Sequence, residues 1–135
     1  MTGTQTAQAP APGSKASAIS NLMVRLLSRY TGRGPTKART YFNDDMVTIV
    51  LGESLTKAEH TLVANDHSDV VLATRKTFQD VMGAELVAGV ENILERKVLA
   101  FLSANHIAPD IAVETFILAP AGDGPPAAPP DPARE

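Results

Sequence analysis

Apolar residues recur at helical spacing in the first part of the chain. Between Ser14 and Tyr30 they fall on a single face, at Ile19, Leu22, Met23, Leu26, Leu27 and Tyr30. Intervals of three and four residues are typical of an amphipathic helix with one buried face. The pattern therefore predicts a helix over residues 14–30, and Gly32 just beyond it favours a helix end at that point.

Two pairs of segments have the composition of β-strands instead. Lys37–Phe42 and Met46–Leu51 are rich in β-branched and aromatic residues, and the turn-forming sequence Asn-Asp-Asp separates them. Val98–Ser103 and Ile111–Leu118 form a second apolar pair, separated by a segment that contains Pro109. Strand-like segments joined by short polar turns predict two β-hairpins.

Two helices are predicted between the hairpins. Thr56 and Glu59 have the spacing of a capping box, which opens a short helix to about Asn65. A long helix follows from about Asp69 to Glu95, and its predicted apolar positions are Val70, Thr74, Phe78, Val81, Met82, Leu86, Val90, Ile93 and Leu94. The resulting order, α-β-β-α-α-β-β, predicts an α+β fold in which a four-stranded antiparallel sheet of two hairpins packs against amphipathic helices.

Composition sets the limits of the folded part. Residues 1–13 and 120–135 are rich in small residues and proline, so we predict disordered tails around a single domain over 14–119. No apolar run approaches the roughly 18–20 residues of a membrane-spanning helix, and the N-terminus lacks the pattern of a secretory signal. We therefore expect a cytoplasmic protein. The chain has no cysteine, which excludes disulfides and thiolate metal sites.

Charge is distributed unevenly along a chain whose formal net charge is −3. Residues 1–43 contain no acidic residue, whereas every Asp and Glu lies from Asp44 onward. The densest positive cluster is the segment Thr-Gly-Arg-Gly-Pro-Thr-Lys-Ala-Arg at 31–39, which we call the basic turn. Cations and backbone amides held in a turn suit an anion or an acidic partner. The predicted binding residues are Gly32, Arg33, Gly34, Thr36, Lys37 and Arg39. Docking of one half of the chain on the other, or on a second subunit, also explains the asymmetry and is the simpler interpretation.

Signatures of catalysis are absent from the sequence. It contains neither a G-x-S-x-G elbow nor a Walker-type phosphate loop, and the glycine pair of the basic turn follows a helix rather than a strand. His60, His67 and His106 lack the spacing of a zinc site. We therefore predict no metal, no cofactor and no catalytic residue, and favour a non-enzymatic protein while leaving the enzyme question open. Nucleic-acid binding is disfavoured, because the chain is acidic overall and its basic residues do not alternate with aromatic ones.

Several segments carry a family resemblance. They are the helix running into Gly32-Arg33-Gly34-Pro35-Thr36, the strand pair around Tyr41–Leu51, the helix start Leu55-Thr56-Lys57-Ala58-Glu59, the long helix bearing Arg75, and Lys97–Ser103 followed by Glu114-Thr115-Phe116-Ile117-Leu118. Through these segments the region from about Ile19 to Ala119 resembles the MpsC-like family of small bacterial proteins. That family is named after a component of a sodium-translocating, membrane-potential-generating system. One departure from the family pattern is Ala104-Asn105, which stands where an acidic residue often follows the serine of the third strand.

The resemblance implies a context rather than a reaction. It implies a soluble, cytoplasmic accessory protein linked to membrane ion or inorganic-carbon transport, with subunits of a membrane transport complex as partners. It supplies no established catalytic residues.

Two hypotheses for the function follow from the residues and the resemblance together. The first is a non-enzymatic binding or regulatory module that holds a small anion, or the acidic surface of a partner, at the basic turn. In this hypothesis Arg33 is the main cation, and Lys37 and Arg39 support it. The alternative is a structural homodimer formed through the long helix and the first helix, with the basic stretch of one subunit meeting acids of the other.

Overall fold

The computed structural model describes residues 13–121, and within them helices and strands follow the predicted order. The elements are α1 (Gly13–Thr31), β1 (Lys37–Asn43), β2 (Met46–Gly52), α2 (Lys57–Ala64), α3 (Ser68–Leu94), β3 (Val98–His106) and β4 (Ile111–Leu118). The predicted α+β class is therefore confirmed. The predictions for the two terminal tails fall almost entirely outside the described residues.

The two hairpins join into one antiparallel sheet with the strand order β1-β2-β4-β3. The second strand of each hairpin lies at the centre, where Ile49 of β2 pairs with Glu114 of β4. The first strand of each hairpin, β1 or β3, forms an edge. Alternate side chains of the central strands are buried against α1 and α3, whereas the other sheet face carries half-buried and exposed side chains. We call that second face the open face.

An aliphatic core fills the space between the helices and the sheet. The face of α1 predicted from the sequence supplies one side of it, which confirms the helical spacing read there. Its most deeply buried members are Ile19, Met23, Leu26, Val47, Ile49, Leu51, Met82, Leu86, Val90, Phe116 and Leu118. Phe116 also stacks on Phe101 of β3, with ring centroids 4.8 Å apart. Burial of these side chains is the main force that holds the helices on the sheet.

The first half of α3 does not follow the pattern predicted for it. Val70 and Val81, predicted to be core contacts, are 42% and 58% exposed. Arg75 and Gln79 take the inward positions instead, at 4% and 5% exposure. Because two of the three inward residues in this half are polar, with Val71 the third, apolar spacing predicts the wrong side of the helix. The prediction for this half of α3 is wrong, while Met82, Leu86 and Val90 in the second half are buried as expected.

Candidate functional site

The basic turn is fixed by the end of α1. Gly32 has a φ of 84°, a left-handed conformation that favours glycine, and its amide donates to the Ser28 carbonyl at 2.9 Å. Gly34 packs directly against the helix, since a Cβ at this position would lie 2.5 Å from the Ser28 Oγ atom. Pro35 is buried. Both glycines therefore have a structural role in leading the chain from α1 into β1.

A carboxylate of the same chain lies among the cations of the basic turn. The Arg33 guanidinium donates to the Glu53 carbonyl at 3.0 Å, and Lys37 Nζ is 3.7 Å from Glu53 Oε2. The Thr36 hydroxyl donates to the Glu53 carboxylate. That hydrogen bond, followed by the charge of Lys37, lowers the pKa of Glu53 below its ordinary value. Three of the predicted binding residues thus contact Glu53, Thr36 and Lys37 at its carboxylate and Arg33 at its backbone carbonyl.

Arg39 lies apart from this cluster, farther along β1. Its Nη1 atom is 3.4 Å from the hydroxyl oxygen of Tyr41, and both side chains are exposed. Lys37, Arg39 and Tyr41 alternate with inward-facing residues of β1 such as Thr40, which is 1% exposed. The structure therefore brings Arg33, Thr36 and Lys37 together and places Arg39 on the open face beside them.

A groove of about 770 Å³ runs along the open face beside the basic turn. Its polar wall includes Lys37 and Arg39, and its apolar lining includes Tyr41, Val50 and Ile111. We call this the basic groove. The groove thus combines two cations with an aliphatic surface, and the acidic residues Glu53 and Asp110 also line it.

The loop between β3 and β4 lines part of the basic groove through Pro109 and Asp110. Asp110 in this loop accepts two backbone hydrogen bonds, from Glu53 N to its carbonyl at 3.1 Å and from Leu55 N to its Oδ2 atom at 2.9 Å. These bonds tie the loop to the segment that follows β2. Glu53 is consequently held in place from both sides of the groove.

A second polar cluster lies on the helix-covered side of the sheet, where Arg75 of α3 meets α2. Arg75 binds the Glu59 carboxylate with two hydrogen bonds, of 3.1 Å from Nε and 2.9 Å from Nη2. It also donates to the Ser54 carbonyl at 2.6 Å. Glu59 additionally completes the capping box of α2, because its carboxylate accepts from the Thr56 amide at 2.8 Å. The ion pair is buried, and its guanidinium and carboxylate groups form several hydrogen bonds with neighbouring residues.

Glu114 of β4 extends this cluster, because it contacts Gln79, which lies one helical turn after Arg75 on α3. Its carboxylate accepts a hydrogen bond from Gln79 Nε2 at 3.0 Å and another from the Ser103 hydroxyl. The side-chain amides of Gln79 and Asn105 bind each other in turn, at 3.2 and 3.1 Å. Burial raises the pKa of Glu114 to about 7, although the hydrogen bonds from Ser103 and Gln79 and the charge of Arg75 act in the opposite direction.

Two other kinds of feature, a metal-binding cluster and a membrane-spanning helix, do not occur in the described part of the chain. Within residues 13–121, no group of three or more His, Asp or Glu side chains is arranged to hold a metal ion. In the same range, the helices lack the combined length and apolar character that crossing a bilayer requires.

Comparison with known protein families supplies the context for this geometry. Residues 12–120 match the family model described as MpsC, the Na⁺-translocating membrane potential-generating system. The chain belongs to the MpsC family. No curated protein and no solved structure has significant similarity to this MpsC-family chain. The family resemblance stated from the sequence is confirmed, and it covers both the basic groove and the buried polar cluster.

The buried polar cluster of this MpsC-family protein was missed from the sequence. Glu59 was assigned only to helix capping, and Arg75 and Gln79 were given no role. One signal was available in β4, where Glu114 alternates with the apolar residues Ala112 and Phe116. An acid on an inward face needs hydrogen-bond partners, and these could have been sought among polar residues on neighbouring elements.

Proposed function

We propose that this MpsC-family protein is a non-enzymatic, cytoplasmic accessory component of a Na⁺-translocating, membrane-potential-generating system. In this proposal it binds an acidic segment of a partner protein in the basic groove. The family match supports the system, and the geometry of the groove supports the type of partner. The observation that carries the proposal is the position of Lys37 and Arg39 on the edge strand β1, beside the aliphatic surface of the basic groove.

Glu53 defines how such a partner would engage the basic turn. Its exposed carboxylate accepts from Thr36 and lies near Lys37, so an incoming acidic side chain would compete with it for the same groups. Arg39 is not engaged by Glu53 and would make a separate ionic contact. Arg33 would act mainly as a support, because its guanidinium already binds the Glu53 carbonyl. This assigns the predicted binding residues different tasks within one surface.

The homodimer predicted as the alternative receives less support at the basic stretch. Two cations in this part of the chain already have acidic neighbours in the same chain, since Arg29 pairs with Glu85 and Lys37 with Glu53. An interface held by these charges would exchange one set of exposed ion pairs for another, and because exposed pairs contribute little to stability, the charges alone would add little to a dimer.

The proposal can be tested with a labelled peptide of alternating glutamate and leucine, using fluorescence anisotropy at two salt concentrations. A peptide of alternating lysine and leucine is the negative probe. We expect the acidic peptide alone to bind, with weaker binding at high salt. Arg39→Glu should weaken binding by about 10-fold or more, because like charges then face each other in the groove.

Arg25→Glu is the matched control, because it makes the same charge change at an exposed position of α1. Equal losses in the two variants, or no binding of the acidic peptide, would overturn the proposal. Phosphate and bicarbonate at matched ionic strength form a further arm of the experiment. A rise in melting temperature with one of them that disappears in Arg33→Ala would indicate a small-anion site instead.

A further inference from the structure

The edge strand β3 presents an unusual surface for an edge strand. Its side chains at Leu99 and Leu102 are 58% and 55% exposed, and Ala100 and Ala104 between and beyond them are exposed as well. No ionisable residue occurs from Val98 to Asn105. Edge strands have unpaired backbone N–H and C=O groups, and natural proteins normally protect them with charges, proline or a covering element. β3 lacks the charges and the proline.

The opposite edge of the same sheet has this protection. β1 carries Lys37 and Arg39 on its exposed face, so two copies paired through β1 would bring like charges close together. β1 is thus suited to remain unpaired with a second copy. A second strand could therefore pair with the neutral edge of β3 without bringing like charges together, whereas pairing at β1 would place cations near one another.

We propose that β3 pairs antiparallel with β3 of a second copy of this chain. A two-fold axis near Leu102 would then join the two four-stranded sheets into one continuous sheet. In a symmetric pairing of this kind, the residues at the axis lie opposite their own counterparts in the second copy. This is favourable only if those residues are uncharged. The absence of ionisable residues from Val98 to Asn105 meets that condition around Leu102, and His106 lies at the end of the strand.

The neighbouring part of α3 provides complementary charges for the same arrangement. Lys76 and Asp80 line a cleft of about 250 Å³ together with Leu102 and Ser103, so they lie beside the β3 edge. They form an exposed pair at 3.2 Å within one helix. A two-fold axis reverses their order in the second copy, so that Lys76 of each copy comes to face Asp80 of the other. The charged rim of the cleft is therefore complementary to itself, which favours a second copy over an unrelated partner.

This interface differs from the one predicted from the sequence and goes beyond the proposed function. It is centred on β3 rather than on the long helix α3 and the first helix α1, and it lies at the sheet edge opposite the basic groove. Partner binding in the basic groove and dimerisation through β3 would therefore occur at separate surfaces. An experiment on one surface leaves the other intact.

The test is the association state of the full-length chain, measured by sedimentation equilibrium over a wide concentration range. We expect the wild-type chain to dimerise reversibly. Leu102→Lys and Leu102→Glu should each raise the dimer Kd by about 100-fold or more, because two like charges meet at the axis. Mixing the two variants in equal amounts should restore a dimer, since lysine then faces glutamate. Circular dichroism of each variant checks that the fold is retained.

Val81→Lys is the matched control, because Val81 is as exposed as Leu102 but lies on the outer side of α3. We expect this variant to dimerise like the wild type. A wild-type chain that is monomeric throughout would overturn the proposal, and so would a dimer that survives both Leu102 variants. Loss of the dimer in Val81→Lys but not in Leu102→Lys would instead place the interface on α3. A mixture that fails to associate would contradict the two-fold position of Leu102.

Discussion

The two halves of α3 pack against the same sheet with opposite chemistry. In the first half, the inward residues Arg75 and Gln79 are buried in a network of directional hydrogen bonds. In the second half, Met82, Leu86 and Val90 are fully buried among aliphatic side chains. Apolar contacts tolerate small changes in orientation, whereas a buried polar group is costly unless its partners are correctly placed. The first half should therefore respond more strongly to the loss of a single partner.

Removal of the Arg75 side chain is expected to have the largest effect. Arg75→Ala leaves the Glu59 carboxylate buried without its cation, so we expect the free energy of unfolding to fall by about 3–5 kcal/mol. Urea denaturation at neutral pH measures the change. Lys76→Ala is the control, because its side chain is 75% exposed in the adjacent position. It should alter the unfolding free energy by no more than about 0.5 kcal/mol. Similar losses in the two variants would contradict this view of the polar half.

Glu114 of β4, which packs against the first half of α3, should also make the stability of the protein depend on pH. Burial raises the pKa of Glu114 from an ordinary value of 4.5 to about 7 in the folded state. Below the lower value both the folded and the unfolded carboxyl carry a proton, and Glu114 imposes no penalty. Between the two values the unfolded state releases the proton while the folded state keeps it, so stability falls as pH rises. Above the higher value the penalty is complete, at about 3 kcal/mol.

Glu114→Gln tests this dependence without removing the side chain. The variant has no titrating group at this position, so its stability relative to wild type should improve steadily between pH 5 and pH 8. Chemical denaturation at several pH values within that range measures the difference. Glu53→Gln is a suitable control, because the pKa of Glu53 is lowered and its titration falls below this window. A constant difference between wild type and Glu114→Gln would show that the carboxyl does not titrate as described.

The smallest expected effects concern two glycines in the apolar half. A Cβ at Gly83 would lie 3.5 Å from the Phe101 ring, an ordinary contact, so Gly83→Ala should stabilise the protein by about 0.5–1 kcal/mol through helix propensity. A Cβ at Gly89 would lie 2.5 Å from a Leu22 methyl carbon. Gly89→Ala should therefore be destabilising, by about 1 kcal/mol, because the buried Leu22 side chain must leave its position. Thermal unfolding of both variants separates the two positions, and equal melting temperatures would contradict the close contact.

The same comparison explains what the sequence could predict. The order of elements and the buried face of α1 follow from apolar spacing, because their inward residues are apolar. The first half of α3 fails this rule, since Arg75 and Gln79 are polar and Val81 on the exposed side is apolar. Periodicity records only which residues are apolar. It does not record which polar residues find partners.

The basic groove was predictable only in part for a related reason. The cations of the basic turn are adjacent in sequence, so composition alone brings them to notice. Glu53 and Asp110, which fix the turn and line the groove, come from other parts of the chain. Their roles depend on the pairing of β2 with β4, and no local sequence pattern predicts that the Glu53 side chain contacts Thr36 and Lys37.

Glu114 gives the protein two coexisting forms near neutrality. A pKa of about 7 places the change between protonated and ionised Glu114 near neutral pH, and one pH unit changes the ratio of the two forms about tenfold. The protonated carboxyl gains a donor, so the Ser103 hydroxyl, which can donate or accept, can change its role between the two forms, whereas the Gln79 amide can donate to both. A spectrum recorded at pH 7 would average two hydrogen-bond arrangements, and samples prepared well to either side of neutrality would resolve each one separately.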